Sequence, residues 1–323
     1  MTHTVHLHDQ YEREGYLLLR GLLNPEMDLE PIVREYEGIL ERLIDTLYAA
    51  GKISSRYVDL PFGERVMQIQ VETGTGLVQH FECALPRINI TNESPMWVGE
   101  AVFNALRNPR LLDAIEPLMG SEIFVSPIHH VRMKIPDHMV QKSLGSDYQV
   151  VRTPWHQDAA AVTEEADNTN MITVWFSLWD VPISSGPLQI IPGSHRRGLL
   201  THCPVLGSAL AIPDRLLEQA LALSLPVKRG DVLILNKFTV HSSMPNHSDT
   251  IRWSFDLRYV PVGQPTGREI FPGFVARSRK APNSELHDAR AWARSWFQTC
   301  ERLSKTPPSK PFNRWQADAP PCA

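Results

Sequence analysis

The sequence has few cysteines, and they show no recognisable spacing. The four cysteines are Cys83, Cys203, Cys300 and Cys322, and no two of them form a C-x-x-C pair. The pattern therefore indicates neither a zinc knuckle nor a disulfide framework. We expect all four to be reduced thiols in a chain that depends on a hydrophobic core.

Long apolar runs and a strong charge excess are also missing. No run of about 18 apolar residues is present, and the first residues lack the basic start and apolar stretch of a signal peptide, so we expect a cytoplasmic protein without a membrane span. A net charge of -4 gives no basic field to attract nucleic acid or anionic lipid. We therefore expect a small-molecule substrate and neither nucleic acid nor membrane as partner. The oligomeric state is left open.

The composition is that of an ordinary globular protein. Of its 323 residues 42% are hydrophobic and 21% charged, enough to build a large core. We predict a single domain over residues 1–305, with a helical buttress over about 1–120 and a β-rich core over about 121–262. A proline-rich tail, 306–323, completes the chain.

The period of the apolar residues changes after about residue 120. Before it, apolar residues recur at three- and four-residue steps, which is typical of helices with one buried face. These predicted helices are Leu7–Glu14, Pro31–Ala50, Pro95–Leu106 and Pro109–Met119, with a strand at Tyr16–Arg20. Beyond it, short segments with period two predict strands at Ile123–Ser126, His129–Ile135, Met171–Trp179, Leu188–Ile191, Val232–Leu235 and Ile251–Val260. Strands without intervening helices favour an antiparallel sandwich or barrel over a parallel sheet.

One short segment has the spacing of a chelate. His156 and Asp158 are two positions apart, so on an extended segment both side chains leave the same face and can bind one ion. His241 can supply a second imidazole, because it follows a predicted strand introduced by the Gly230-Asp231 turn. Two imidazoles and one carboxylate leave three octahedral positions open, which suits an iron(II) ion that binds a cosubstrate and dioxygen.

A predicted strand after His241 carries a candidate carboxylate clamp. Arg252 can bind a carboxylate through two parallel hydrogen bonds, and Ser254 on the same face can add a third. The distal carboxylate of 2-oxoglutarate requires such partners. Asp256 and Arg258 share this face, and we expect a cross-strand ion pair there. Trp175 either packs in the core or contacts the cosubstrate.

Four separated motifs then agree in order and spacing with one known family. They are Trp155–Asp158, Gly186–His195, Gly230–Leu235 and His241–Arg252. Together they resemble the phytanoyl-CoA dioxygenase family, over a stretch from about Tyr11 to Tyr259. The resemblance implies a mainly β, double-stranded β-helix (jelly-roll, cupin-like) core buttressed by α-helices. It also implies an oxygenase that uses iron(II), 2-oxoglutarate and dioxygen.

The resemblance assigns roles to individual residues. It implies three iron ligands: His156, Asp158 and His241. It implies contacts to 2-oxoglutarate from a further set: Arg252, Ser243, Trp175, His130 and Arg87. The expected reaction hydroxylates a small to medium organic metabolite and releases succinate and carbon dioxide. Desaturation, epoxidation and ring closure stay open as outcomes of the same chemistry.

The same three ligands are also compatible with two other functions. One is a jelly roll that binds metal without catalysis, and the other is a zinc-type hydrolase. Arg252, Ser243 and Ser254 argue against both, because neither activity needs a buried carboxylate clamp. Other histidines lack a partner at chelating spacing and are expected to form ordinary hydrogen bonds; they are His129, His130, His202 and His247.

Overall fold

The structure is a computed structural model that describes residues 2–73, 77–86, 88–139, 152–205, 210–308, 314–315 and 322. Within these residues a seven-stranded and a three-stranded antiparallel sheet, with a separate two-stranded ribbon, are flanked by helices, and the fold is a double-stranded β-helix. The predicted fold class is therefore confirmed.

The helices form one outer layer. They are α1 Thr2–Glu14, α2 Glu30–Ala49, α3 Phe62–Thr73, α4 Glu100–Leu106, α5 Pro109–Met119 and α6 Ala289–Lys305. The bounds of α5 agree with the prediction, whereas α4 begins five residues later than predicted, with Gly99 at its N-cap. No prediction covered α3 or α6. None of the helices in the described part of the chain is long and apolar enough to cross a membrane.

The strands divide into a main and a minor sheet. In chain order they are β1 Tyr16–Leu19, β2 Glu122–Val125, β3 His130–Lys134, β4 Ile172–Ser177, β5 Leu188–Ile190, β6 Cys203–Pro204, β7 Leu210–Ala211, β8 Leu223–Leu225, β9 Val232–Asn236, β10 His241–Ser243, β11 Arg252–Pro261 and β12 Phe274–Ser278. The main sheet has the order β1-β9-β4-β11-β2-β12, and β3 pairs with the first half of β11. The minor sheet has the order β10-β5-β8, and β6 pairs with β7.

The long strand β11 shows how the sequence positions the site. Its alternate residues Trp253, Phe255, Leu257 and Tyr259 belong to the large core shared with the helices. Successive side chains of a strand point to opposite faces, so its polar residues face the minor sheet: Arg252, Ser254, Asp256 and Arg258. All eight side chains are buried. A row of buried polar groups is costly unless it is paired or binds a ligand, so this inner face is the place to look for function.

The expectation that all four cysteines are reduced thiols is wrong for two of them. Cys203 and Cys322 form a disulfide, with their Cα atoms 5.5 Å apart, whereas Cys83 and Cys300 are free and buried. The two bonded cysteines are 119 residues apart in the chain. Such a pairing depends on which loop the tail meets in three dimensions, and sequence spacing does not contain that information.

Candidate metal and cosubstrate site

Three potential metal ligands converge between the two sheets. His156 and His241 form a reciprocal backbone bridge, each N–H donating to the other's carbonyl at 2.9 Å. This bridge brings the two imidazole centroids to 4.2 Å. Asp158 begins a short 3-10 turn, and its Oδ2 lies 4.0 Å from Nε2 of His241. One ligand atom from each of the three residues lies within 4.8 Å of the others, which is a spacing that one metal ion can bridge.

The hydrogen bonds of both imidazoles fix which nitrogen can bind a metal. Nδ1 of His156 lies 2.9 Å from the carbonyl of Pro154, and Nδ1 of His241 lies 2.9 Å from the carbonyl of Thr239. A carbonyl only accepts, so each Nδ1 carries a proton, and Nε2 is the nitrogen of each ring that is left to bind a metal. Burial, followed by the neighbouring His241, lowers the pKa of His156 well below its ordinary value, which keeps this ring neutral.

Both oxygens of Asp158 are held by neighbours on the main sheet. Thr173 on β4 donates to Oδ2 at 2.6 Å, and Arg258 on β11 donates to Oδ1. Burial opposes ionisation of this carboxyl, but the charge of Arg258, supported by the hydrogen bond from Thr173, outweighs it and holds the pKa of Asp158 well below its usual range. The carboxylate is thus charged and oriented. The cross-strand ion pair predicted for this face is present at Asp256, which accepts a hydrogen bond from Arg132 on β3 at 2.6 Å. Arg258 does not pair with Asp256 but with the candidate ligand Asp158.

Gln157 lies between two candidate ligands in the chain, and hydrogen bonds hold both its side chain and its backbone. Its side-chain amide donates to the carbonyls of Gly198 at 2.8 Å and Phe238 at 2.6 Å, and its Oε1 accepts from the backbone of Leu200 at 2.7 Å. Its backbone N–H donates to Nε2 of His202 at 2.9 Å. Burial lowers the pKa of His202 to about 4, so that ring stays a neutral acceptor. The prediction that the isolated histidines form ordinary hydrogen bonds is confirmed for His202 and wrong for His129, whose two ring nitrogens are buried without a partner among the described residues.

Arg252, the residue expected to bind the cosubstrate, is buried beside hydrogen-bond donors that have no acceptor. Its Nη1 donates to the carbonyl of Gly186 at 2.9 Å, and its guanidinium lies 5.7 Å from the centroid of the Trp175 ring. Nε of Arg252, Oγ of Ser254 and Nε1 of Trp175 are buried without a partner among the described residues. Buried donors without partners are costly. They fit an anionic ligand in this corner, as a 2-oxoglutarate carboxylate would be.

The resemblance implies that Ser243 contacts the cosubstrate. Its hydroxyl already accepts two hydrogen bonds, so it can interact with a further group only as a donor. Its Oγ accepts from Nζ of Lys134 at 2.7 Å and from the backbone N–H of Thr153 at 2.9 Å. A hydroxyl accepts two hydrogen bonds and donates one, so its O–H can be donated to a carboxylate. Lys134 lies opposite Arg252 in the pairing of β3 with β11, and burial lowers its pKa to about 6. Sequence reasoning missed this role for Lys134.

The other two residues expected to contact the cosubstrate are His130 and Arg87. Nδ1 of His130 lies 3.2 Å from the Glu82 carboxylate, and its side chain is 20% exposed. His130 is not among the described residues that line the cavity around the three candidate ligands, whereas Arg132 and Asp256 are. Arg87 lies outside the described residues. The roles of His130 and Arg87 therefore stay predictions.

Glu82 gives a pH-dependent prediction of its own. Burial raises the pKa of Glu82 to about 8, so its ionisation costs more in the folded than in the unfolded protein. Its contribution to stability is complete below its unfolded pKa and is lost as the pH rises through about 8. We expect the free energy of unfolding to change less favourably between pH 6 and pH 9 in the parent than in Glu82→Gln, because Lys134, whose pKa burial lowers to about 6, contributes in the opposite sense equally in both proteins. Urea unfolding at both pH values measures this. The exposed Glu37→Gln serves as control, and equal pH slopes in all three proteins would contradict the expectation.

Comparison with known proteins agrees with this geometry. The sequence matches the phytanoyl-CoA dioxygenase (PhyH) family over residues 11–254. A phytanoyl-CoA dioxygenase domain-containing protein 1 homolog from Dictyostelium discoideum is 24% identical over 270 residues, which cover 78% of this chain and 89% of the relative. A 1-deoxypentalenic acid 11-beta-hydroxylase from Streptomyces exfoliatus is 24% identical over 268 residues, which cover 80% and 81%. The structure of the non-heme monooxygenase ThoJ in its apo form superposes with a TM-score of 0.59 and 18% identity, over 93% of this chain and 96% of that one, and shares the fold.

Proposed function

Because this chain belongs to the phytanoyl-CoA dioxygenase family, it is an iron(II)- and 2-oxoglutarate-dependent oxygenase, and we propose that it hydroxylates a small to medium organic metabolite. We assign iron to His156, Asp158 and His241, and the distal carboxylate of 2-oxoglutarate to Arg252. The convergence of three ligand atoms within 4.8 Å of one another carries the proposal. Residues 1–305 would act as one catalytic domain.

When bound, iron with 2-oxoglutarate and dioxygen supplies the oxidising chemistry, with release of succinate and carbon dioxide. The chain supplies position and charge. His156 and His241 offer Nε2 because their Nδ1 protons are donated to backbone carbonyls. Arg258 and Thr173 hold the Asp158 carboxylate in one orientation, and Arg252 and Ser243 would orient the cosubstrate. Oriented partners of this kind spare reorganisation during the reaction.

The cavity around the three proposed iron ligands is small, about 20 Å³, and has two contrasting walls. Trp175, Leu188 and Leu235 form an apolar wall, and the Arg132–Asp256 ion pair forms a polar one. The relative from Streptomyces exfoliatus is named a hydroxylase of 1-deoxypentalenic acid, which supports hydroxylation over desaturation, epoxidation or ring closure. We also propose a cytoplasmic location, where a disulfide is usually redox-sensing or transient.

The test is release of succinate from 2-oxoglutarate by the iron-loaded protein. We expect slow release with iron(II) and ascorbate alone, faster release with a suitable substrate, and none with zinc(II). The alternatives, a non-catalytic metal-binding protein and a zinc-type hydrolase, predict otherwise. Iron-loaded protein that never forms succinate, or a zinc-dependent hydrolysis, would overturn the proposal.

Chloride should not affect turnover. A halogenating oxygenase needs an open metal position for the halide, and here the Asp158 carboxylate would occupy that position. Its negative charge also disfavours a second anion beside it. We expect equal succinate release with and without chloride, and no chlorinated product by mass spectrometry. Chloride-dependent turnover by the unmodified protein would contradict both the role of Asp158 and the reaction type.

A further inference from the structure

Two residues of the C-terminal tail pack against the turn that begins at Asp158. Nε1 of Trp315 donates to the carbonyl of Ala160 at 3.0 Å, and Nη2 of Arg314 donates to the carbonyl of Ala159 at 3.3 Å. Ala159 and Ala160 are buried and directly follow Asp158. The tail therefore holds the backbone of the segment that carries two of the three proposed iron ligands.

Arg314 and Trp315 also reach groups on either side of that turn. The Arg314 guanidinium pairs with Asp167 at 2.6 Å, and its side chain is only 9% exposed. The Trp315 ring lies 5.1 Å from the ring of His202. His202 in turn accepts the backbone hydrogen bond of Gln157, the residue between His156 and Asp158. The tail thus supports the ligand segment from two directions.

A covalent bond joins the tail to the same region. Cys322 is bonded to Cys203, and Cys203 directly follows His202 in the chain. The disulfide therefore fixes the tail to the loop that Trp315 contacts. None of Arg314, Trp315 and Cys322 lies within residues 11–254, the part that matches the family, so this support is not part of the shared family core.

We propose that Arg314 and Trp315 are positioning residues for the metal-binding segment, and that reduction of the Cys203–Cys322 disulfide releases them and weakens metal binding. The inference rests on the proposed iron site. An untethered tail has to lose conformational freedom each time it docks, whereas a tethered one has lost most of it already. The disulfide thereby keeps the ligand segment preorganised.

The redox step is an ordinary thiol–disulfide exchange. A dithiol donates two electrons and two protons, the S–S bond breaks, Cys203 and Cys322 become thiols, and the dithiol becomes its own disulfide. Cys83 and Cys300 are free thiols already, so reduction changes only one bond among the described residues. A cellular dithiol protein or dithiothreitol can serve as the reductant.

The test compares metal affinity in the two redox states. The dissociation constants of iron(II) and of cobalt(II) are measured anaerobically on the full chain, and the visible cobalt spectrum reports the ligand geometry. We expect reduction to raise both constants about tenfold, as loss of groups that orient metal ligands does. Cys322→Ser should behave as the reduced protein in both conditions, and the Cys300→Ser control should keep the full response.

Variants of the tail separate positioning from general stability. Trp315→Ala and Arg314→Ala should weaken metal binding in the oxidised protein without an equal loss in the melting temperature of the metal-free protein. Trp315→Phe keeps a ring against His202 but loses the hydrogen bond to Ala160, so its affinity should be intermediate. Arg294→Ala, at an exposed position of α6, should change nothing.

Each outcome has one meaning. Equal affinities for oxidised and reduced protein, with the thiol count verified by mass spectrometry, would overturn the inference, as would the absence of a Cys203–Cys322 bond in the oxidised protein. A His241→Ala arm keeps the two proposals apart. If that variant binds metal like the parent, the iron site itself fails; if it loses metal while the redox states of the parent agree, only the role of the tail fails.

Discussion

Replacing any one of His156, Asp158 and His241 is expected to abolish iron binding and turnover while the fold persists. Two remaining ligands cannot hold the ion in competition with water and buffer. Alanine suits the two histidines. At Asp158 it would also leave the buried Arg258 without its carboxylate, and an unpaired buried charge destabilises a protein strongly. Asp158→Asn, which keeps an acceptor for Thr173, is therefore the cleaner companion to Asp158→Ala.

Iron stoichiometry and circular dichroism decide the outcome for each variant. His247→Ala is the matched control, since His247 is exposed and outside the site, and it should retain full iron occupancy. A variant of His156, Asp158 or His241 that keeps both full occupancy and activity would show that its residue is not a ligand. Loss of the folded spectrum in Asp158→Ala alone, with intact Asp158→Asn, would report the unpaired Arg258.

Replacing Arg252 by alanine should raise the dissociation constant of 2-oxoglutarate roughly 100-fold, or ~3 kcal/mol, because a buried charge pair loses one partner. Arg252→Lys should also be impaired, since a point charge cannot reproduce the planar fork of the guanidinium. Ser254→Ala removes only one hydroxyl and should cost about tenfold or less. Metal affinity in the absence of 2-oxoglutarate should stay close to that of the parent.

Anaerobic titration of 2-oxoglutarate against the iron-loaded protein, followed by the visible metal-to-ligand band, measures these effects. The ordering of the three variants is as informative as the size. If Arg252→Ala binds 2-oxoglutarate like the parent, Arg252 is not its partner. A weakened metal site with unchanged cosubstrate affinity would place the effect at the iron instead.

Much of the fold follows from the sequence, because period-two segments with few helices between them leave few architectures. The elements that were not predicted either are too short to show a pattern or have a pattern that was not used. β10 has only three residues, His241–Ser243, too few to show a period. The helix α6 carries a buried stripe of Trp292, Trp296 and Leu303, which is a readable pattern that no prediction used.

The candidate site divides in the same way. Two-residue spacing on a short extended segment is a local property, so His156 and Asp158 could be found together, and the resemblance supported His241. Alternation places Arg258 on the inner face of β11 but does not say which carboxylate it meets. The contact of Arg258 with Asp158 spans 100 residues, and that of Lys134 with Ser243 spans 109. Partners that distant depend on the assembled sheets.

The position of β1 at the start of the chain affects the order in which the protein can fold during synthesis. Tyr16–Leu19 completes the edge of the main sheet by pairing with Val232–Leu235, so it leaves the ribosome long before its partner exists. Pairings this distant fold slowly and leave unpaired strand edges exposed meanwhile. His241 also arrives late, and His156 with Asp158 offers a nascent chain only two donors. Iron therefore has no complete site to bind until synthesis has passed β10.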